Sequence, residues 1–185
     1  MEFDFNIISN NVNGIRTFAN KRQTLFNRSK DLVKHKGFVC LQETHSDSEI
    51  EDLWSQEFGS DQLVFGHGAS NARGVCIGIV GEFGQVVKNK IVDPSGRFII
   101  LEVSISNQPF VIINVYNENI ESKQVALWTA LLGHMEATCL DPDVNIVLAG
   151  DFNLFFNINL EAKGGNPTLK KIALPNSSRL RKDLI

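Results

Sequence analysis

The stretch VNIVLAGDFN, residues 144–153, sets an apolar run against a polar end. Residues 144–149 have the composition of a buried strand. The strand stops on Asp151 and Asn153, two groups that a simple turn does not require. In layered α/β folds, ligands bind beyond strand ends, so a polar strand end is where chemistry is expected.

The same pattern recurs upstream. An apolar strand over residues 3–9 runs into Asn10-Asn11-Val12-Asn13-Gly14. A second, Phe38-Val39-Cys40-Leu41, is stopped by Gln42-Glu43-Thr44-His45, and a strand over 110–116 ends on Tyr116-Asn117. Taken singly, each has a plain structural explanation. Asn11 and Asn13 are turn formers, Glu43 is an acid at a helix start, and Tyr116 is a strand-end aromatic. Taken together they gather two carboxylates, several amides and a phenol.

Between these points the pattern predicts helices over 21–36, 48–57 and 121–138. The apolar stripe of the last is expected to be Val125, Trp128, Leu131, Leu132 and Met135, with a core-packing role. Further strands are predicted over 62–65, 74–80, 85–92 and 97–105, with Asp93-Pro94-Ser95-Gly96 as a turn. Gly37 reads as a helix C-cap and Ser48 as an N-cap. The order of helices and hairpin-linked strands predicts an α/β or α+β sandwich with mixed sheets.

Composition fits this. The chain has 185 residues, 43% hydrophobic and 21% charged, enough for one domain with a real core. The net charge of −3 neither requires nor excludes nucleic acid. Basic residues nevertheless crowd at Arg16, Lys21, Arg22, Arg28, Lys30, Lys34 and Lys36, and again at 170–182. Each cluster reads equally as a phosphate-facing patch or as a solvated face. Three cysteines with no CxxC pair argue against both a disulfide framework and a zinc site. The N-terminus has no signal-peptide pattern, and no apolar run spans a bilayer. The expected setting is intracellular, nuclear or cytoplasmic, with no membrane partner.

Oxygen and amide donors without thiols suit a hard cation such as Mg2+. A carboxylate base beside such a cation is a set for hydrolysing phosphate esters.

The stretches SNNVNGIR, FVCLQETHS, HGASNARGVCIGI, DPSGRFIILEV, VIINVYNEN, IVLAGDFN and LEAKGGNP, in this order over residues 6–167, resemble the endonuclease/exonuclease/phosphatase superfamily. They resemble most closely the apurinic-endonuclease-like domain of LINE-type retrotransposon reverse-transcriptase proteins. The resemblance implies a four-layer sandwich of two packed mixed β-sheets flanked by helices. It implies that Glu43 binds the metal, that Asn11 and Asn13 organise metal and phosphate, and that Tyr116 contacts phosphate. It implies that Asp151 activates the attacking water and that Asn153, its partner, binds phosphate. His67 and Asn71 lie in a conspicuous loop to which no role carries over.

The implied function is that of a metal-dependent phosphodiester hydrolase, the DNA endonuclease of a LINE-type element. Its cofactor would be Mg2+, or Mn2+ in its place, with DNA as partner and a reverse-transcriptase domain in the intact parent. The alternatives are a catalytically dead retroelement fragment and a phosphoesterase acting on abasic DNA or a phosphoinositide.

The sequence departs from the family in two ways. Asn117-Glu118 replace the usual Ala-Pro after the tyrosine, placing an acid beside a phosphate site. The final Ser-Asp-His motif has no counterpart; the four histidines are His35, His45, His67 and His134. The expectation is a C-terminally truncated domain over 1–160, lacking the last strands, with a loop and basic tail over 161–185.

Overall fold

The computed structural model describes residues 4–16, 19–59, 62–69, 72–138 and 144–153. The expected tail over 161–185 lies outside the described residues. Eight strands and three helices follow in the order β1 (Asn6–Asn11), α1 (Ala19–Leu32), β2 (Gly37–Gln42), α2 (Glu51–Phe58), β3 (Gln62–Gly66), β4 (Val75–Val80), β5 (Gln85–Val92), β6 (Phe98–Ile105), β7 (Gln108–Tyr116), α3 (Glu121–Thr138) and β8 (Asn145–Asp151). One sheet has the order β1-β2-β4-β3 and the other β5-β6-β7-β8. Both are mixed: β1 runs parallel to β2 and β7 parallel to β8, and the remaining pairs are antiparallel.

The layers follow from which side chains alternate inward. Phe38 and Cys40 of β2, Ile77 of β4, Leu101 of β6 and Ile112 of β7 meet between the sheets, all fully buried. The opposite face of the first sheet offers Val39, Leu41 and Cys76 to Phe26 of α1 and Trp54 and Phe58 of α2. The opposite face of the second offers Ile100, Val111 and Ile113 to Leu127, Trp128 and Leu131 of α3. Full burial of one such side chain stabilises the fold by about 1.5–3 kcal/mol, so these three contacts dominate the assembly. The result is the four-layer α/β sandwich expected. Among the described residues no helix is long and apolar enough to cross a membrane.

Several local expectations are corrected. α3 turns Leu127 inward and leaves Val125 about half exposed, because its buried face is set by Trp128 and Leu131 against the sheet. α1 stops at Leu32, four residues early. Lys34 and His35 take left-handed φ of +53° and +56° and reverse the chain. Gly37 therefore opens β2 rather than capping the helix. Its φ is +146°, and a Cβ there would lie 1.8 Å from the Asn6 carbonyl oxygen of the neighbouring strand. Asp47 rather than Ser48 caps the turn before α2, its side chain accepting from the Glu49 N–H. The largest correction concerns β8, expected to be buried. It borders its sheet with β7 as its one partner among the described strands, and Ile146 and Leu148 are 45% and 41% exposed. Only Val147 and Ala149 pack between the sheets.

The N-terminal basic cluster is mostly structural. Arg22 is buried, donating to Glu57 (2.6 Å from Nη2 to Oε1) and to the Ile15 and Arg16 carbonyls. Lys30 donates to the Phe58 carbonyl, and Arg16 pairs with Asp47.

Candidate active site

The two parallel strand pairs, one per sheet, bring four carboxyl-terminal strand ends to one end of the sandwich. Along each of these strands the inward positions change from apolar to polar. On β2, Phe38 and Cys40 give way to Gln42; on β7, Phe110 and Ile112 give way to Asn114 and Tyr116. On β1, Ile7 gives way to Ser9 and Asn11; on β8, Val147 and Ala149 give way to Asp151. Strand alternation with period two carries each of these groups to the same facing surface.

The lower tier is a buried polar clasp between the sheets. Gln42 Nε2 donates to Asn114 Oδ1 at 2.7 Å and to Ser9 Oγ at 3.0 Å. Asn114 Nδ2 donates to the carbonyls of Leu41 and Cys76, both at 2.9 Å. Gln42 and Asn114 are fully buried, so their amides require these partners.

The upper tier holds the expected residues. Asn11 Nδ2 donates to Glu43 Oε1 at 2.7 Å and to Asp151 Oδ2 at 2.8 Å. One amide nitrogen thus joins a carboxylate from each sheet. Two turns of the same form orient the donors. The Asn13 N–H donates to Asn11 Oδ1 at 3.0 Å, and the Asn153 N–H donates to Asp151 Oδ1 at 3.1 Å. Asn13 and Asn153 both have left-handed φ, +46° and +47°. The structure therefore gives Asn13 a backbone role. The Asn153 amide ties β8 to the loop after β7 by donating to the Asn117 carbonyl at 2.5 Å.

Tyr116 completes the group. Its pKa is driven well above the ordinary tyrosine value. Burial is the largest cause, followed by the Glu43, Asp151 and Glu118 carboxylates. The phenol is therefore a neutral proton donor across the physiological range.

Strain concentrates here. Glu43, His45 and Arg73 join Asn13 and Asn153 in left-handed φ, at +53°, +55° and +67°. Such residues cost of order 1–3 kcal/mol each and persist where surroundings enforce them. The enforcement is visible. The Thr44 and His45 N–H groups donate to the Gly74 and Arg73 carbonyls, both at 3.0 Å. A chain of side chains then runs from buried Thr44 to buried Ser46 (3.0 Å), to His67 Nδ1 (3.0 Å), and from His67 Nε2 to Glu51 (2.6 Å). His67, without a role from sequence, is a brace for the loop carrying Glu43; Asn71 lies outside the described residues. His45 Nε2 lies 3.9 Å from Glu43 Oε2.

Asn114 and Ser46 escape the motif reading, and Asn117, named there as a polar strand end, receives no role from it. Asn117 is buried, with its Nδ2 donating to the Phe152 carbonyl at 2.7 Å. The signal for Asn114 was available: a polar residue at an inward position of an otherwise apolar strand. Glu118 turns from the Glu43–Asp151 pair towards Arg73 and Lys123.

The donor set fits a hard divalent cation. Glu43 and Asp151 offer carboxylate oxygens, and Mg2+ takes one or two carboxylates while keeping waters and substrate oxygens. Among the described residues, no group of three His, Cys, Asp or Glu side chains converges as a closed metal cage.

No family model matches the chain. It is 28% identical over 163 residues to the Transposon TX1 uncharacterized 149 kDa protein of Xenopus laevis, covering 87% of this chain and 12% of that protein. The chain thus spans about an eighth of that relative. Among solved structures it superposes on the Xenopus laevis APE2 catalytic domain with a TM-score of 0.63 at 16% identity, over 89% of this chain and 63% of that one. It superposes on D. rerio TDP2 complexed with a single-strand DNA product at 0.59 and 19%, over 87% and 65%. It superposes on an endonuclease/exonuclease/phosphatase family protein from Bacteroides thetaiotaomicron at 0.60 and 11%, over 80% and 63%. These likenesses show the fold: the chain shares with these structures the four-layer α/β sandwich that the motifs implied.

Proposed function

We propose that the chain is a metal-dependent phosphodiester hydrolase and the DNA endonuclease portion of a LINE-type retroelement protein. The observation that carries this reading is the Asn11 amide joining Glu43 to Asp151 across the two sheets. The similarity to a transposon protein supports the retroelement context. The superposition on a DNA-bound TDP2 supports DNA as the substrate class.

Glu43 would hold Mg2+, with Asn11 orienting its carboxylate, and the ion when bound neutralises phosphate charge and polarises the ester. Asp151 accepts the proton of the attacking water and aims its lone pair at phosphorus. Tyr116 donates its hydroxyl hydrogen to a non-bridging oxygen, which its raised pKa keeps in place. Asn153 holds the Asp151 turn and adds a polar contact beside the phosphate. Asn11 spaces the two carboxylates until metal and substrate arrive.

The test is nicking of supercoiled plasmid in Mg2+. The folded chain is expected to nick. Asp151→Ala and Glu43→Gln are each expected to lose at least about a hundredfold, the scale of one member of a catalytic set. Nicking that survives both substitutions would overturn the assignment. A folded wild-type chain that nicks no DNA would leave the dead-remnant reading in its place.

A further inference from the structure

Glu118 follows Tyr116 by two residues, and its carboxylate is engaged twice. Arg73 Nε lies 3.3 Å from Oε1, and Lys123 Nζ lies 2.7 Å from Oε2. The three groups come from three segments: the loop between β3 and β4, the loop after β7, and the first turn of α3. The Glu118 side chain is 14% exposed, while Arg73 and Lys123 stand at 29% and 42%. Two cations share one acid, and both remain partly open to solvent.

This spot is tied to the candidate site. The Arg73 carbonyl accepts from the His45 N–H at 3.0 Å, two residues past Glu43. Arg73 holds a left-handed φ of +67°, a conformation that favours glycine. The charge of Glu118 also reaches the Tyr116 phenol and helps to raise its pKa. A carboxylate bridging Arg and Lys through its two oxygens uses the geometry in which a phosphodiester presents two non-bridging oxygens to the same donors.

We propose that Arg73 and Lys123 form a subsite for a backbone phosphate next to the scissile one, and that Glu118 occupies this subsite as an internal stand-in until a polynucleotide displaces it. The inference rests on the phosphodiesterase reading and gives it a substrate class: a polyanionic strand, whose neighbouring phosphate competes for the two cations. It also gives a role to the Asn117-Glu118 departure, because an acid in that position sets the threshold for strand binding.

The experiment is equilibrium binding of a fluorescein-labelled DNA duplex in EDTA, so that no turnover occurs, across a salt series. Arg73→Gly removes the guanidinium and suits the left-handed backbone; Lys123→Ala provides an independent second variant. Each is expected to weaken binding by about threefold to thirtyfold and to lower the slope of log affinity against log salt by about one. Glu118→Gln removes the competitor and is expected to tighten binding by a similar factor. The opposite signs separate a phosphate subsite from a structural ion pair, which would weaken with any of the three changes. Melting curves verify that each variant is folded. Wild-type binding that none of the variants alters, or weakening by Glu118→Gln, overturns the inference and leaves the hydrolase reading standing. A wild-type chain that shows no salt-dependent DNA binding overturns both.

Discussion

Replacing Asn114 with Leu tests whether the buried clasp between the sheets holds the candidate site together. Leu has nearly the same shape and removes both polar ends. Three hydrogen bonds disappear: that from Gln42 Nε2 at 2.7 Å and those to the Leu41 and Cys76 carbonyls at 2.9 Å. Each contributes a net of about 0.5–1.5 kcal/mol, and a buried amide left without a partner costs about 1–3 kcal/mol more. Gln42 keeps bonds to Ser9 and the Cys40 carbonyl, which softens its loss. The net destabilisation is about 3 kcal/mol. For a chain of this length about 2–4 °C of melting temperature follows each kcal/mol, so the midpoint falls by about 6–12 °C. Thermal or urea unfolding followed by circular dichroism measures it. Replacing both partners, Gln42→Leu with Asn114→Leu, removes both ends of the 2.7 Å bond. The double variant is expected to be more stable than the sum of the singles by about 1–2 kcal/mol. An Asn114→Leu protein that melts with the wild type, or a strictly additive double variant, would refute the clasp.

Tyr116 is the single tyrosine of the chain, so its ionisation reads out directly in the ultraviolet. Its folded pKa lies above the unfolded value of about 10, so folding is unaffected by this group below pH 10 and loses stability as pH rises beyond it. Tyrosinate absorbance is expected only well above pH 10. Glu43→Gln is expected to lower the midpoint without restoring it fully, since burial remains; a normal titration in the wild type would contradict the site geometry. Gly74→Ala places a Cβ 2.5 Å from Thr44 Oγ1 at a φ of +86°. It is expected to cost about 2–4 kcal/mol in unfolding experiments, and an unchanged midpoint would show that the loop over Thr44 is not rigid. Asn11→Asp sets a third acid between Glu43 and Asp151 and is expected to move the acidic limb of plasmid nicking to higher pH, because like charges disfavour ionisation. An acidic limb that stays in place would show that position 11 does not join the two carboxylates.

Much of the fold was legible because its periodicities are strong. The strand over 85–92 and the helix over 121–138 begin and end where the pattern placed them. The misreadings share one cause. Val125 is apolar and lies at helical spacing, yet it faces solvent, because a helix carries more apolar residues than the sheet beneath it covers. Which stripe is buried depends on the partner surface. β8 was misjudged similarly: its composition fits a buried strand, while among the described residues it borders its sheet and Ile146 and Leu148 are exposed.

The sequence by itself determined the elements, the polar strand ends and the resemblance they carry, because period-two alternation and turn chemistry are local properties of the chain. Only the tertiary structure decided that Asn11, a residue 140 positions from Asp151, donates to it and to Glu43 with one nitrogen. It alone paired Gln42 with Asn114 and sent Glu118 to Arg73 and Lys123. Those contacts join segments far apart in the chain. They exist because two parallel strand pairs in facing sheets bring four chain ends to the same place, and no local pattern encodes that convergence.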